Sequence, residues 1–247
     1  MLELYSNSTI FLICFVALLT STLHGATGVA GGFLLSAAIA PIVGIAPIVP
    51  IMSISLLISH ASRAILNRKD FDRDVFLAIS VPAIPCIALF AFLYGQMSAT
   101  LIAIVLASVI LISIPIRKWA KSRKIKANKK MLSGIGVIYG GLSGISIGPG
   151  MLLIPFMLGY GLTKEAFVAT LAVIALLTNV TRLTVFGVSD LFNADIIIIG
   201  LLLGLVSIPG NWLGRYILRK ISSDRHSGIV DILSIIGALN FFWLAFK

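Results

Sequence analysis

YGGLSGISIGPGMLLIPF, residues 139–156, packs five glycines and two prolines into eighteen positions of an otherwise apolar chain. HGATGVAGGFLLSA, residues 24–37, repeats its character near the start. Glycine frees the backbone and proline removes an amide donor, so both stretches break helices that the flanking sequence would extend. What surrounds them decides what such breaks can mean.

The surroundings are lipid-soluble. Of 247 residues, 59% are hydrophobic and 11% charged, and the mean hydropathy is +1.09. Soluble domains are far more polar. Apolar runs at 75–94, 99–116, 166–186, 195–212 and 229–246 approach the ~20 residues a bilayer-crossing helix needs. The composition predicts an all-α polytopic membrane protein with about 8–10 membrane segments. Residues 1–23 carry one acid and no base before the apolar run, which suits a first membrane segment better than a basic signal leader. Cys14 and Cys86 lie in apolar text, as packing residues rather than a disulfide or metal pair.

Charge sets the orientation. Residues 117–130, RKWAKSRKIKANKK, contain eight basic residues and no acid. Between membrane segments, such a stretch is a cytoplasmic anchor rather than a nucleic-acid-binding tail. The loops at 67–74 and 215–225 also carry bases and are placed inside. GVSDLFNAD, 187–195, has two acids and no base and is placed outside.

The two glycine stretches belong to a repeat. Gly32 aligns with Gly150 at an offset of 118, and at 119 His60-Ala-Ser-Arg63 falls on Asn179-Val-Thr-Arg182 and Gly95 on Gly214. The chain therefore divides into a first transmembrane repeat, 1–116, a basic cytoplasmic linker, 117–130, and a second repeat, 131–247. Equivalent loops have opposite charge, which predicts inverted topology and an odd number of segments per half. Five segments satisfy it: two short ones around each glycine break, as broken helices or re-entrant hairpins, then three long ones. Irregular backbone at membrane depth must be buried in protein or line a cavity, and paired breaks in inverted repeats are a design of secondary transporters. Helix N-termini at such breaks attract anions. The competing reading is close helix packing through the four-residue spacings of Gly28, Gly32, Gly140, Gly144 and Gly148.

The doubled motif followed by LL, GGFLL at 31–35 and GPGMLLIP at 148–155, resembles the TauE/SafE sulfite exporter family. Length, repeat and central basic loop are similar as well. The first copy departs from the pattern, with Ser36-Ala37 where the second has Ile154-Pro155. The resemblance implies a secondary transporter of sulfur-containing anions such as sulfite, sulfonates or sulfoacetate, in the inner (plasma) membrane, working around a central site between the repeats.

Candidate substrate-binding residues are Gly31, Gly32, Gly148 and Gly150 at the breaks, His60 and Arg63 in the first repeat, and Asn179 and Arg182 in the second. Arginine in a membrane helix costs ~2.5–3.5 kcal/mol on insertion scales, yet its planar fork matches an oxyanion. Snorkelling to the interface is its bland alternative. His60 and His24 could carry a proton; His226 falls in a basic loop. Two other classes of function compete. GLSG at 141–144 matches an intramembrane serine protease pattern around Ser143, but the one later histidine is His226. A non-transporting scaffold needs no paired breaks. The expected partners are a small anion, the lipid bilayer and a coupling proton or sodium ion. No cofactor, metal, nucleic acid or catalytic residue is expected.

Overall fold

The computed structural model describes residues 6–27, 29–123, 125–218 and 223–246. Among them are ten α-helices and no strand: α1 (Asn7–Thr27), α2 (Gly31–Val43), α3 (Ile48–Leu66), α4 (Arg73–Tyr94), α5 (Ala99–Ser122), α6 (Lys129–Ile145), α7 (Gly150–Tyr160), α8 (Lys164–Val188), α9 (Ala194–Leu218) and α10 (Ser223–Ala245). Helix starts are written locally. Asp72 accepts from the Val75 amide, Asn128 from Met131 and Thr163 from Ala166, each side chain satisfying an amide the first turn leaves open. Gly161, at φ +115°, ends α7 in the left-handed conformation that glycine adopts without steric cost.

Six helices are long and apolar enough to cross a membrane: 8–26, 48–66, 73–94, 99–120, 164–188 and 194–217. α2, α7 and the segment Ile235–Ala245 are shorter apolar helices. The helix before the first break is longer than the short segment expected, because the apolar run Ile10–Leu19 precedes the polar turns that lead to the break. α5 runs on to Ser122, so the basic stretch begins as helix. Phe11, Phe15, Leu89, Phe92, Leu205 and Leu239 lie about half or more exposed on the outside. Such a surface belongs in lipid, and the chain is a polytopic helical membrane protein.

The helix pairs come in matched sets. α1 packs on α9 as α6 packs on α4; α3 on α9 as α8 on α4; α2 on α10 as α7 on α5; α3 meets α8, and α5 meets α10. Each half contributes five helices, the second of each five the shortest, and exchanging the halves maps every one of these pairs onto another or itself. Glycines let the partners approach. A Cβ at Gly136 or Gly140 would stand 2.5 Å from the carbonyl oxygen of Ile79 or Ala83 in α4, and one at Gly144 2.5 Å from Phe90 Cβ. Gly25, Gly210 and Gly214 serve the α1–α9 contact. Close packing thus accounts for Gly140 and Gly144. Gly28 lies outside the described residues. An exposed ion pair, Lys129 Nζ to Asp74 Oδ2 at 2.8 Å, joins α6 to α4, and the carboxylate holds that ammonium above its ordinary value. Exposed pairs of this kind contribute little.

Candidate functional site

Both breaks turn through the same unusual backbone. Ala30 has φ +70° and Gly148 φ +95°, and the two positions correspond at the repeat offset of 118. Positive φ is easy for glycine and strained for alanine. At each site the turn ends one helix and starts a short one, α2 at Gly31 and α7 at Gly150.

Between the breaks lies a cavity of about 60 Å³, room for roughly four or five water-sized groups. Its wall draws on both halves in matched positions: His24 and Ser143, Val29 and Ile147, Ala30 and Gly148, Gly32 and Gly150, Leu56 and Ala175, His60 and Asn179. Arg182, Thr178 and Tyr139 complete its polar face. Gly32 and Gly150 are the first-turn residues of α2 and α7, so two helix N-termini, each carrying partial positive charge, meet at one cavity.

The glycines divide by role. Gly150 has space, since an added Cβ would sit 3.6 Å from Leu171 Cδ1, an ordinary contact. At Gly32 it would meet only the Leu56 side chain, at 2.9 Å. Gly31 faces away from the cavity wall. Its missing side chain makes room for the Thr20 carbonyl and the His24 side chain, seating α2 against α1.

Arg182 is buried, 3% exposed, and does not snorkel. Its Nε and Nη2 donate to the Ser143 carbonyl, Nη2 also to the Ser146 carbonyl, and Nη1 to Asn179 Oδ1 at 3.5 Å. The end of α6 and the break after it offer carbonyls that no further turn can satisfy, and Arg182 fills that need while its charge stays at the cavity wall. Asn179 donates to the Ala175 carbonyl at 2.7 Å. Thr178 bonds the Tyr139 hydroxyl at 3.0 Å. Arg63 is 1% exposed and stands behind the wall, its Nη1 3.3 Å from His60 Nδ1 and its Nη2 donating to the Val168 carbonyl at 3.4 Å. The structure thus brings Gly32, His60, Gly148, Gly150, Asn179 and Arg182 to one cavity, with Gly31 and Arg63 in the layer behind.

His24 closes the site on the α1 side. Its Nδ1 accepts the Gly32 amide at 3.2 Å, its Nε2 is buried without a partner, and its ring lies 5.1 Å from that of His60. Tyr139 went unread as a wall residue although it opens the decisive stretch. Its counterpart at the 119 offset, Thr20, is also polar and buried, and that match together with its helical spacing to Ser143 are the signals that point to it. Ser143 Oγ, also buried, has no hydrogen-bond partner, so no histidine stands ready to activate it. The side chain of His226 lies outside those described. Cys14 and Cys86 are free and half-buried. No group of acids, histidines and cysteines among the described residues could hold a metal.

Two buried guanidiniums and no buried carboxylate among the described residues, set at paired helix breaks in a polytopic bundle, define a membrane transporter with an interior suited to anions. The sequence profile of the Sulfite exporter TauE/SafE family matches residues 13–241, and the chain belongs to that family. Its members are membrane transporters, not enzymes, so the protease reading of Ser143 falls. No curated protein and no solved structure matches the chain.

Proposed function

We propose that this protein is a secondary transporter of a small sulfur-containing anion, of the sulfite, sulfonate or sulfoacetate type, working by alternating access about the cavity between its halves. One observation carries the reading: Arg63 and Arg182 are buried together with no carboxylate to balance them among the described residues. A buried charge is stable when an opposite charge or a full set of hydrogen bonds meets it. Carbonyls satisfy the N–H groups of Arg182 but leave its net charge uncompensated, and an anion in the cavity supplies the balance. The cavity's size suits an ion of a few heavy atoms.

The exchange-symmetric helix pairs support two repeats, 1–116 and 131–247, joined by the linker 117–130. Five helices per half, an odd number, suits an inverted pair. In this reading the protein sits in the inner membrane with the basic linker on the cytoplasmic side, and transport couples to a proton or sodium gradient. Gly32, His60, Gly148, Gly150, Asn179 and Arg182 bind the anion, with Gly31 and Arg63 shaping and charging the site from behind.

The test is thermal stability of the purified protein against sulfite, thiosulfate, sulfoacetate, taurine, phosphate and small carboxylates, followed by flux in proteoliposomes. A ligand of the folded state at a hundred times its Kd adds ~2.7 kcal/mol to stability. A clear upward shift with a sulfur oxyanion, and flux of the same ion, is the expected result. No shift with any of them sinks the reading.

A further inference from the structure

We propose that His24 is the proton-binding residue of this site, and that anion capture by the Gly32 amide and protonation of His24 Nδ1 are one coupled event. The inference rests on the anion-transport reading and adds the coupling ion to it.

The Gly32 N–H donates to His24 Nδ1 at 3.2 Å. An accepting ring nitrogen carries a lone pair, so in this arrangement the neutral ring holds its proton on Nε2. That Nε2 is buried, without a partner, on a side chain 6% exposed that lines the cavity. His24 therefore occupies the first-turn amide of α2 that an anion would seek. The anion and the imidazole compete for a single N–H.

When an anion takes the Gly32 N–H, the bond to Nδ1 opens and leaves a buried lone pair without a donor. A proton taken up from the bulk solution, given by hydronium or the acid form of the buffer, fills it. The ring becomes an imidazolium with N–H donors at both Nδ1 and Nε2, the second already at the cavity wall. No other bond forms or breaks. One positive charge enters with one negative charge, and both leave together when the Gly32–His24 bond re-forms.

The surroundings single out His24. α2 has no titratable residue, and where α9 touches this part of α1 it presents Asn211 and Gly214. α3 brings His60 with Arg63 behind it; across the cavity stand Arg182 on α8 and Tyr139 on α6. His60 is a poorer proton acceptor by geometry, because its Nδ1 faces the donating Nη1 of Arg63 at 3.3 Å. A proton there would set two donors against each other. The repeat partner of His24 is Ser143, which cannot take a proton in this range. The second half therefore adds no matching step.

The experiment is calorimetric binding of methanesulfonate, whose charge does not change in the range used, and of sulfite corrected for its own titration. Both are measured on the full chain in detergent between pH 5 and 8, in buffers of different ionisation enthalpy. The expected result is uptake of about one proton per anion, and affinity that rises up to about tenfold per unit fall in pH where His24 titrates, since linkage is reciprocal. His24→Asn should bind more weakly, with no pH dependence and no proton uptake, whereas His60→Asn, although it too should bind more weakly, should still take up about one proton for each anion that binds. Anion binding without proton uptake in the unaltered protein overturns the coupling and leaves anion transport standing. Uptake that persists in His24→Asn assigns the proton elsewhere and overturns it as well. If neither anion binds the coupling is overturned, and if no ion of the stability screen binds either, the transport reading falls with it.

Discussion

Arg182 holds the carbonyls of Ser143 and Ser146 while its charge borders the cavity. Lysine keeps the charge but loses the fork that reaches two carbonyls at once. Arg182→Lys should lower stability by ~2–4 kcal/mol, from lost charge-assisted bonds and buried carbonyls left open. It should also weaken anion binding measured on the protein that remains folded. Chemical denaturation and binding on the same preparation check both, and unchanged stability would remove the helix-capping role. At this scale the sequence was partly legible. Arginine in apolar text announced a cost that something must offset. It could not reveal that the offset is a carbonyl cluster 36 to 39 positions away, since contacts so distant depend on how α6 and α8 pack. His24 was visible as a candidate proton carrier opening a motif, but its bond to Gly32 was not, because that bond exists once the chain has turned at Ala30.

Among elements, the second glycine stretch divides at its middle. Gly136, Gly140 and Gly144 press α6 onto α4, whereas Gly148 and Gly150 shape the break. Gly144→Ala should cost ~1–3 kcal/mol by overpacking, as its Cβ would meet Phe90 and the Ala91 amide at 2.5 and 2.8 Å. Gly150→Ala fits its surroundings and should leave stability unchanged or raise it by up to ~1 kcal/mol. Its methyl group at the start of α7 should nevertheless reduce anion affinity. Thermal melts and binding of the two variants side by side check the division, and normal affinity in Gly150→Ala would return that glycine to packing. Composition alone marks all five residues as helix-loosening; only their spacing against a partner helix sorts contact from turn. The same limit applies to Gly95 and Gly214, equivalent in sequence register. Gly95 caps α4, while Gly214 lies inside α9 against α1.

For the whole molecule, apolar runs anticipated an all-helical polytopic membrane protein, because hydrophobic length is local and survives in the text. How the halves interlock was not readable, since apolar faces name no partner. Orientation still rests on charge. In a cysteine-free background, Lys126→Cys should react with an impermeant reagent from the cytoplasmic side and Asp190→Cys from the opposite side. Reaction of both from one side would refute inverted topology. Arg182 also has a mechanical consequence. By fastening the end of α6 and the bend after it to α8, it makes them one rigid piece. Any rocking that opens the cavity first to one face and then to the other must carry 143–150 and α8 along together, so the hinge has to lie elsewhere in the molecule.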